Sequence, residues 1–172
     1  MKTPEIIENS RIKVALRKDF YDDLRTPIQD LLDLTGATYF AHQLIENYYQ
    51  PDHFVSSFNW HEDWLDTYWS EFWDKDPIER KVHKNAKANG VNFSIWKISD
   101  SSSQCMTARK KMCQVEDGVT ISYQHKNGVL ENFSVAWDKF DLDKIGVQKL
   151  ELIQEKIIPI RLLHHRVYQD LK

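Results

Sequence analysis

Apolar positions along this chain switch between helical and strand spacing, and the switches predict an ordered set of elements. Ile6, Ile7, Ile12, Ala15 and Leu16 recur at loosely helical intervals, so residues 5–18 read as a first helix. Thr26-Pro27-Ile28-Gln29 reads as a new helix start: Thr26 can cap, Pro27 fits the first turn and Gln29 can reach back. Ile28, Leu31 and Leu32 form its apolar face, and Gly36 ends it as a left-handed cap. Ala37 to Ile45 is β-rich and partly alternating. His53 to Phe58 forms the next strand, antiparallel to the first because the turn over Asn47 to Asp52 is short.

Asn59 then reads as the cap of a third helix, with Glu62 three residues on. Residues 60, 64, 68 and 72 are Trp, Trp, Tyr and Phe, an i, i+4 aromatic face. Asp76-Pro77-Ile78-Glu79 starts another helix with an Asp cap and Pro in the first turn, and Asn89-Gly90 closes it. Val91 to Ile98 is a strand. Asp100 to Ser103 is a loop that caps a helix from Gln104 to about Gln114. Val119 to Tyr123 and Leu130 to Trp137 are strands joined at Lys126-Asn127-Gly128, where Asn-Gly accepts positive φ cheaply. Asp141 to Leu171 is a long helical region that Pro159 is predicted to kink or divide.

This order implies an α+β fold, with a five-stranded antiparallel sheet flanked by helices on both faces. No internal repeat or linker divides the 172 residues, so a single domain over 1–172 is expected.

Composition narrows the function. The formal charge of −3 gives no basis for nucleic-acid binding by this chain alone, which needs a clustered basic face. Arg109-Lys110-Lys111 and the group Arg161, His164, His165 and Arg166 are expected to be solvated helix faces. No apolar run has the roughly 18–20 residues of a membrane span, and the N-terminus has no signal-peptide stretch; a cytoplasmic location is expected. Cys105 and Cys113 read as two reduced thiols. Aromatic residues make up 12%, and Trp60, Trp64, Trp69 and Trp73 crowd into a short segment that is either core or a binding cage.

Catalytic signatures are missing: no Gly-rich phosphate loop, no nucleophile elbow, no HExxH. The neighbours His61, Glu62 and Asp63 point to different sides of a helix, as do His164 and His165, so no metal and no cofactor is expected. Asp76 is either a plain cap for Pro77 or a cap whose second oxygen accepts an N–H from a ligand. Trp64 and Tyr68 are core or a cage offering an indole N–H and a hydroxyl. Trp60 is core or pocket rim, Trp96 a packing residue or a wall, and Ser134 an ordinary inward-facing strand residue or a pocket hydroxyl.

The segment from Gly36 to Asp138 resembles the autoinducer-binding domain of LuxR-type quorum-sensing regulators. The resemblance rests on an ordered set: His61 to Tyr68, Asp76-Pro77, the Phe93 to Trp96 strand, Asp117 to Ile121, Asn127-Gly128 and Phe133 to Ala136. It implies an α-β-α sandwich burying an N-acyl-homoserine lactone between the sheet and one helical layer. Trp64 matches the Trp that bonds the lactone carbonyl, and Asp76 the Asp that accepts the ligand amide. Tyr68 and Trp96 match aromatic walls, Ser134 a hydroxyl near the start of the acyl chain, and Gly118 a Gly at the turn into a strand. Trp60 stands where the family usually has Tyr. The family also carries a C-terminal helix-turn-helix DNA-binding domain, expected to be absent from a chain that ends at Lys172.

These readings give two expectations. In the first, the chain is a sensor, not an enzyme: it binds a small amphiphile, such as an acyl-homoserine lactone, and controls dimerisation. In the second, it is a ligand-independent module that heterodimerises with related full-length regulators.

Overall fold

A computed structural model describes residues 18–46, 54–100, 102–138 and 147–170. The helix expected over 5–18 lies outside them but for its last residue, and the turn over Asn47 to Asp52 lies outside them entirely.

The first described helix, α1 (Lys18–Thr35), already runs through Thr26-Pro27, so Pro27 is interior and Thr26 does not start it. The reason is the buried stripe Leu24, Ile28, Leu31 and Leu32, which spans the proline and outweighs its one lost backbone hydrogen bond. Gly36 ends α1 as expected, at φ +69° with its N–H on the Leu32 carbonyl.

Five strands follow: β1 (Tyr39–Ile45), β2 (Phe54–Phe58), β3 (Val91–Lys97), β4 (Asp117–Gln124) and β5 (Leu130–Trp137). They form one sheet in the order β2-β1-β5-β4-β3, antiparallel at every pairing. The β4–β5 connection is wider than a two-residue turn. His125 N–H bonds the Val129 carbonyl, and only Gly128 adopts positive φ, while Asn127 Oδ1 accepts from Val129 N.

The alternation along the strands sends two different cores to the two faces. Phe40, Leu44, Val119, Ile121, Phe133 and Val135 point to one face, against α1 and α5 (Val147–Asp170). Ile153, Ile157 and Ile160 seal that layer. Pro159 lies inside α5 without dividing it, because it sits on the exposed side and the buried stripe runs past it. The opposite face carries Tyr39, Ala41, Phe58, Trp96 and Leu130. It packs against α2 (Glu62–Thr67), α3 (Pro77–Asn89) and α4 (Gln104–Cys113). The result is the α-β-α sandwich with helices on both faces.

Asn59 does not cap α2. Its side chain accepts from Phe40 N and donates to the Thr38 carbonyl, so it ties the chain to β1, and His61 takes the cap position. After α2 the helix widens into a π-turn over Tyr68–Phe72, in which Trp73 N–H bonds the Tyr68 carbonyl five residues back. A 3₁₀ turn, Trp73–Lys75, then delivers the chain to Asp76. Among the described residues no helix is long and apolar enough to cross a membrane.

Candidate functional site

Asp76 is placed by its own local grammar. It sits in extended backbone before Pro77, and its Oδ1 accepts from Ile78 N at 2.9 Å. Its carboxylate is nonetheless 1% exposed, so its other oxygen points into the interior. There Oδ2 accepts from Tyr68 Oη at 3.2 Å and from Arg109 Nη2.

Four aromatic rings close around that pair. Trp60 stacks on Tyr39 with ring centres 4.7 Å apart, while Trp64 meets Tyr68 at 5.5 Å and Phe72 at 6.2 Å. Trp96 enters from β3. Its indole N–H donates to Thr120 Oγ1 at 3.0 Å, and that hydroxyl is 2.8 Å from Ser134 Oγ. Trp96 pairs with Gly118 across β3 and β4, and a Cβ at 118 would lie 2.0 Å from the indole ring. Gly118 is therefore inside a strand, not at a turn, and it is needed because the Trp96 ring lies over it.

All six residues singled out in the sequence, Trp60, Trp64, Tyr68, Asp76, Trp96 and Ser134, line one cavity of about 50 Å³ between the sheet and the α2–α4 layer. Tyr39 and Ala41 face the same layer, while Phe40 belongs to the opposite core.

The sequence reading missed the group at the centre. Arg109 is no solvated surface residue. It is 6% exposed, and its guanidinium carbon lies 5.8, 5.4, 5.8 and 5.6 Å from the ring centres of Trp60, Trp64, Tyr68 and Trp96. Lys110 and Lys111 on the same helix are exposed. The available signal was periodicity, since 109 falls on the buried stripe Cys105, Met106, Cys113. Burial opposes the charge on Arg109, but the Asp76 carboxylate more than offsets this and holds the guanidinium protonated.

Glu79 is the second missed residue. It lines the cavity one turn into α3 and accepts from Asn132 Nδ2. Burial and the nearby Asp76 charge push its carboxyl up to about 8, so it is protonated at neutral pH. Gln43 and Thr120 complete the polar part of the lining. Burial also pushes the Cys105 and Cys113 thiols up to about 12, which leaves neither nucleophilic.

A second polar cluster lies on the other side of the sheet. Glu131, fully buried on β5, accepts from His42, His125, His165 and Arg161. Burial raises its pKa, but the bonds from His42 and Arg161 dominate and hold it far below the carboxylate range. Nearby, His164 is buried with Nε2 2.7 Å from Ser57 Oγ. The expectation of a solvated face at Arg161, His164 and His165 fails here as well, because all three turn toward the sheet; only Arg166 is exposed. The ligating atoms of His125, Glu131 and His165 lie within 4.8 Å of one another. Arg161 grips both oxygens of the same carboxylate, which makes this a hydrogen-bonded ion cluster.

The chain has a five-stranded antiparallel sheet between two helical layers, with an aromatic cage on one face. Among solved structures the fold is similar to CepR2 of Burkholderia cenocepacia, described as an N-acylhomoserine lactone dependent LuxR-family transcription factor. The TM-score is 0.59 at 12% identity, over 90% of this chain and 97% of that one. It is similar to Escherichia coli SdiA at TM-score 0.59 and 17% identity, over 88% of this chain and 63% of that one. The GAF3 domain of Slr1393 from Synechocystis shares it too, at TM-score 0.54 and 9% identity, over 88% and 95%. The fold is thus that of LuxR-family autoinducer-binding domains, and GAF domains have it as well. No family model and no curated protein matches the sequence.

Proposed function

We propose that this chain is a cytoplasmic sensor domain that binds a small amphiphilic signal in the Trp60–Trp64–Tyr68–Trp96 cage. The signal is an N-acyl-homoserine lactone or a chemically similar molecule, and its binding controls dimerisation of a LuxR-type regulator. One observation carries the reading: six residues picked from a family pattern converge on one buried cavity with directional polar groups at a carboxylate. A soluble core does not need a hydrogen-bonding cage, whereas a ligand with carbonyls and an N–H does. The fold shared with an N-acylhomoserine lactone dependent factor supports the ligand class, as does an SdiA structure in complex with octanoyl-rac-glycerol. The sensor reading is preferred to turnover because Asp76 is already bonded by Arg109 and Tyr68.

The test is thermal unfolding with and without acyl-homoserine lactones of graded chain length. A ligand at a hundred times its Kd adds about 2.7 kcal/mol to stability, a rise of several degrees. A flat response across the panel, from a chain already well folded, removes the lactone reading.

A second reading is favoured by Arg109. Its guanidinium already stands in the middle of the cage and pairs with Asp76, so the buried carboxylate has its donors without a ligand. Such a domain could act as a ligand-independent module that heterodimerises with full-length regulators. Capture of a purified LuxR-type regulator with no lactone present is the observation that would select it.

A further inference from the structure

We propose that Arg109 sets the specificity of this cage: it admits a compact head group that offers a carbonyl or carboxylate oxygen to the guanidinium, and it excludes long acyl chains. The inference rests on the sensor reading and narrows it.

Space is the first argument. Sites for drug-sized ligands run to roughly 300–1,000 Å³. This one retains about 50 Å³, because the guanidinium stands among the four rings where a ligand head would stack.

The second argument is the state of Asp76. Oδ1 is committed to Ile78 N–H and Oδ2 to Arg109 and Tyr68. A ligand N–H reaching this carboxylate must share it with Arg109. Driving Arg109 out would leave two opposite charges separated in a desolvated site, which is far costlier than keeping the pair. The ligand therefore joins Arg109 and does not replace it.

The third argument is the unused donor capacity. Among the described residues Arg109 Nε is buried with no hydrogen-bond partner, and Nη1 has only the Met106 sulfur at 3.1 Å. A cationic N–H in a dry site calls for an oxygen acceptor. The lining is otherwise mostly apolar, and Gln43, Thr120, Ser134 and Glu79 are its other polar groups. A methylene chain laid across these groups would desolvate them and return no hydrogen bonds.

The test compares butanoyl- and dodecanoyl-homoserine lactone, with the ring-opened butanoyl-homoserine carboxylate as a third probe, by calorimetric titration of the full chain. Wild type is expected to bind a butanoyl probe at least tenfold more tightly than the dodecanoyl lactone. Arg109→Met, which keeps volume but removes charge and donors, should reverse that order. Should Arg109→Met fail to fold, Gln43→Leu keeps the Arg109–Asp76 pair and should still move preference toward the longer chain. Tighter dodecanoyl binding by wild type overturns the inference and leaves the sensor reading standing. An unchanged butanoyl preference in a folded Arg109→Met also overturns it. Binding of none of the three probes removes both.

Discussion

Arg109 Nη2 bonds Asp76 Oδ2 across 33 residues of sequence, and so ties the buried face of α4 to the first turn of α3. The two partners are not equivalent. Asp76 has other donors, from Ile78 N–H and the Tyr68 hydroxyl, whereas Arg109, among the described residues, bonds no second carboxylate and has one sulfur acceptor. Asp76→Ala should therefore destabilise more, by about 3–5 kcal/mol, since it strands a buried cation. Arg109→Met should cost less, and the double variant should be more stable than Asp76→Ala alone. Urea unfolding of the three variants checks this; equal losses for both single variants would contradict the asymmetry.

Gly118 and Trp96 make a second dependent pair. A methyl at 118 would sit 2.0–2.5 Å from three ring carbons of Trp96, whose indole is tied to Thr120 by its N–H. Gly118→Ala should cost about 1–3 kcal/mol, as overpacking does, and disturb the Trp96–Thr120 bond. In a Trp96→Leu background the same substitution should be nearly neutral. Additive losses in the double variant would show that the glycine is needed for another reason.

Some of this was legible in the sequence because it was local. The i, i+4 aromatics, the Asp76-Pro77 cap and the Gly36 stop are each written within a few residues, and the alternation over 117–137 separates the two sheet faces. What failed was of two kinds. Helix starts at Thr26 and Asn59 follow capping grammar, but tertiary contacts overrode them: the Leu24–Ile28 stripe carries α1 through the proline, and β1 takes the Asn59 amide. The charged residues failed for another reason. Arg109 and Arg161 look like surface residues until a partner far along the chain is placed beside them, and Asp76 and Glu131 are such partners. Pairing at that range is set by the sheet order, which no local pattern records.

If the cage binds an acyl-homoserine lactone, Trp64→Phe and Asp76→Asn should each weaken it by roughly 1–3 kcal/mol, the cost of one buried hydrogen bond. Trp64→Phe keeps most of the ring contact with Tyr68 and Phe72, so its folding stability should change less than its affinity. Titration calorimetry alongside urea unfolding separates the two effects. Unchanged affinity in both variants would remove these residues from the site.

The two polar clusters predict a stability maximum in pH. Burial lowers the pKa of His42 and His164 below 6.5, so the unfolded chain takes up protons that the folded one refuses as pH falls below that value. Stability is therefore lost on acidification. Glu79 acts with the opposite sign. Burial and Asp76 raise its carboxyl from 4.5 to about 8, so between those values the folded chain holds a proton that the unfolded one has released. Its contribution falls as pH rises, with a limiting slope of about 1.4 kcal/mol per pH unit for one proton. Below 6.5 the buried histidines, His83 among them, outweigh the single carboxyl; above 6.5 their effect fades and that of Glu79 dominates among the described groups. Stability should peak near pH 6.5 and decline toward pH 8. Glu79→Gln should abolish the decline on the alkaline side and leave the acid limb in place. A wild-type profile that is flat from 6.5 to 8 would mean that Glu79 is already ionised beside Asp76, with Arg109 shared between the two carboxylates.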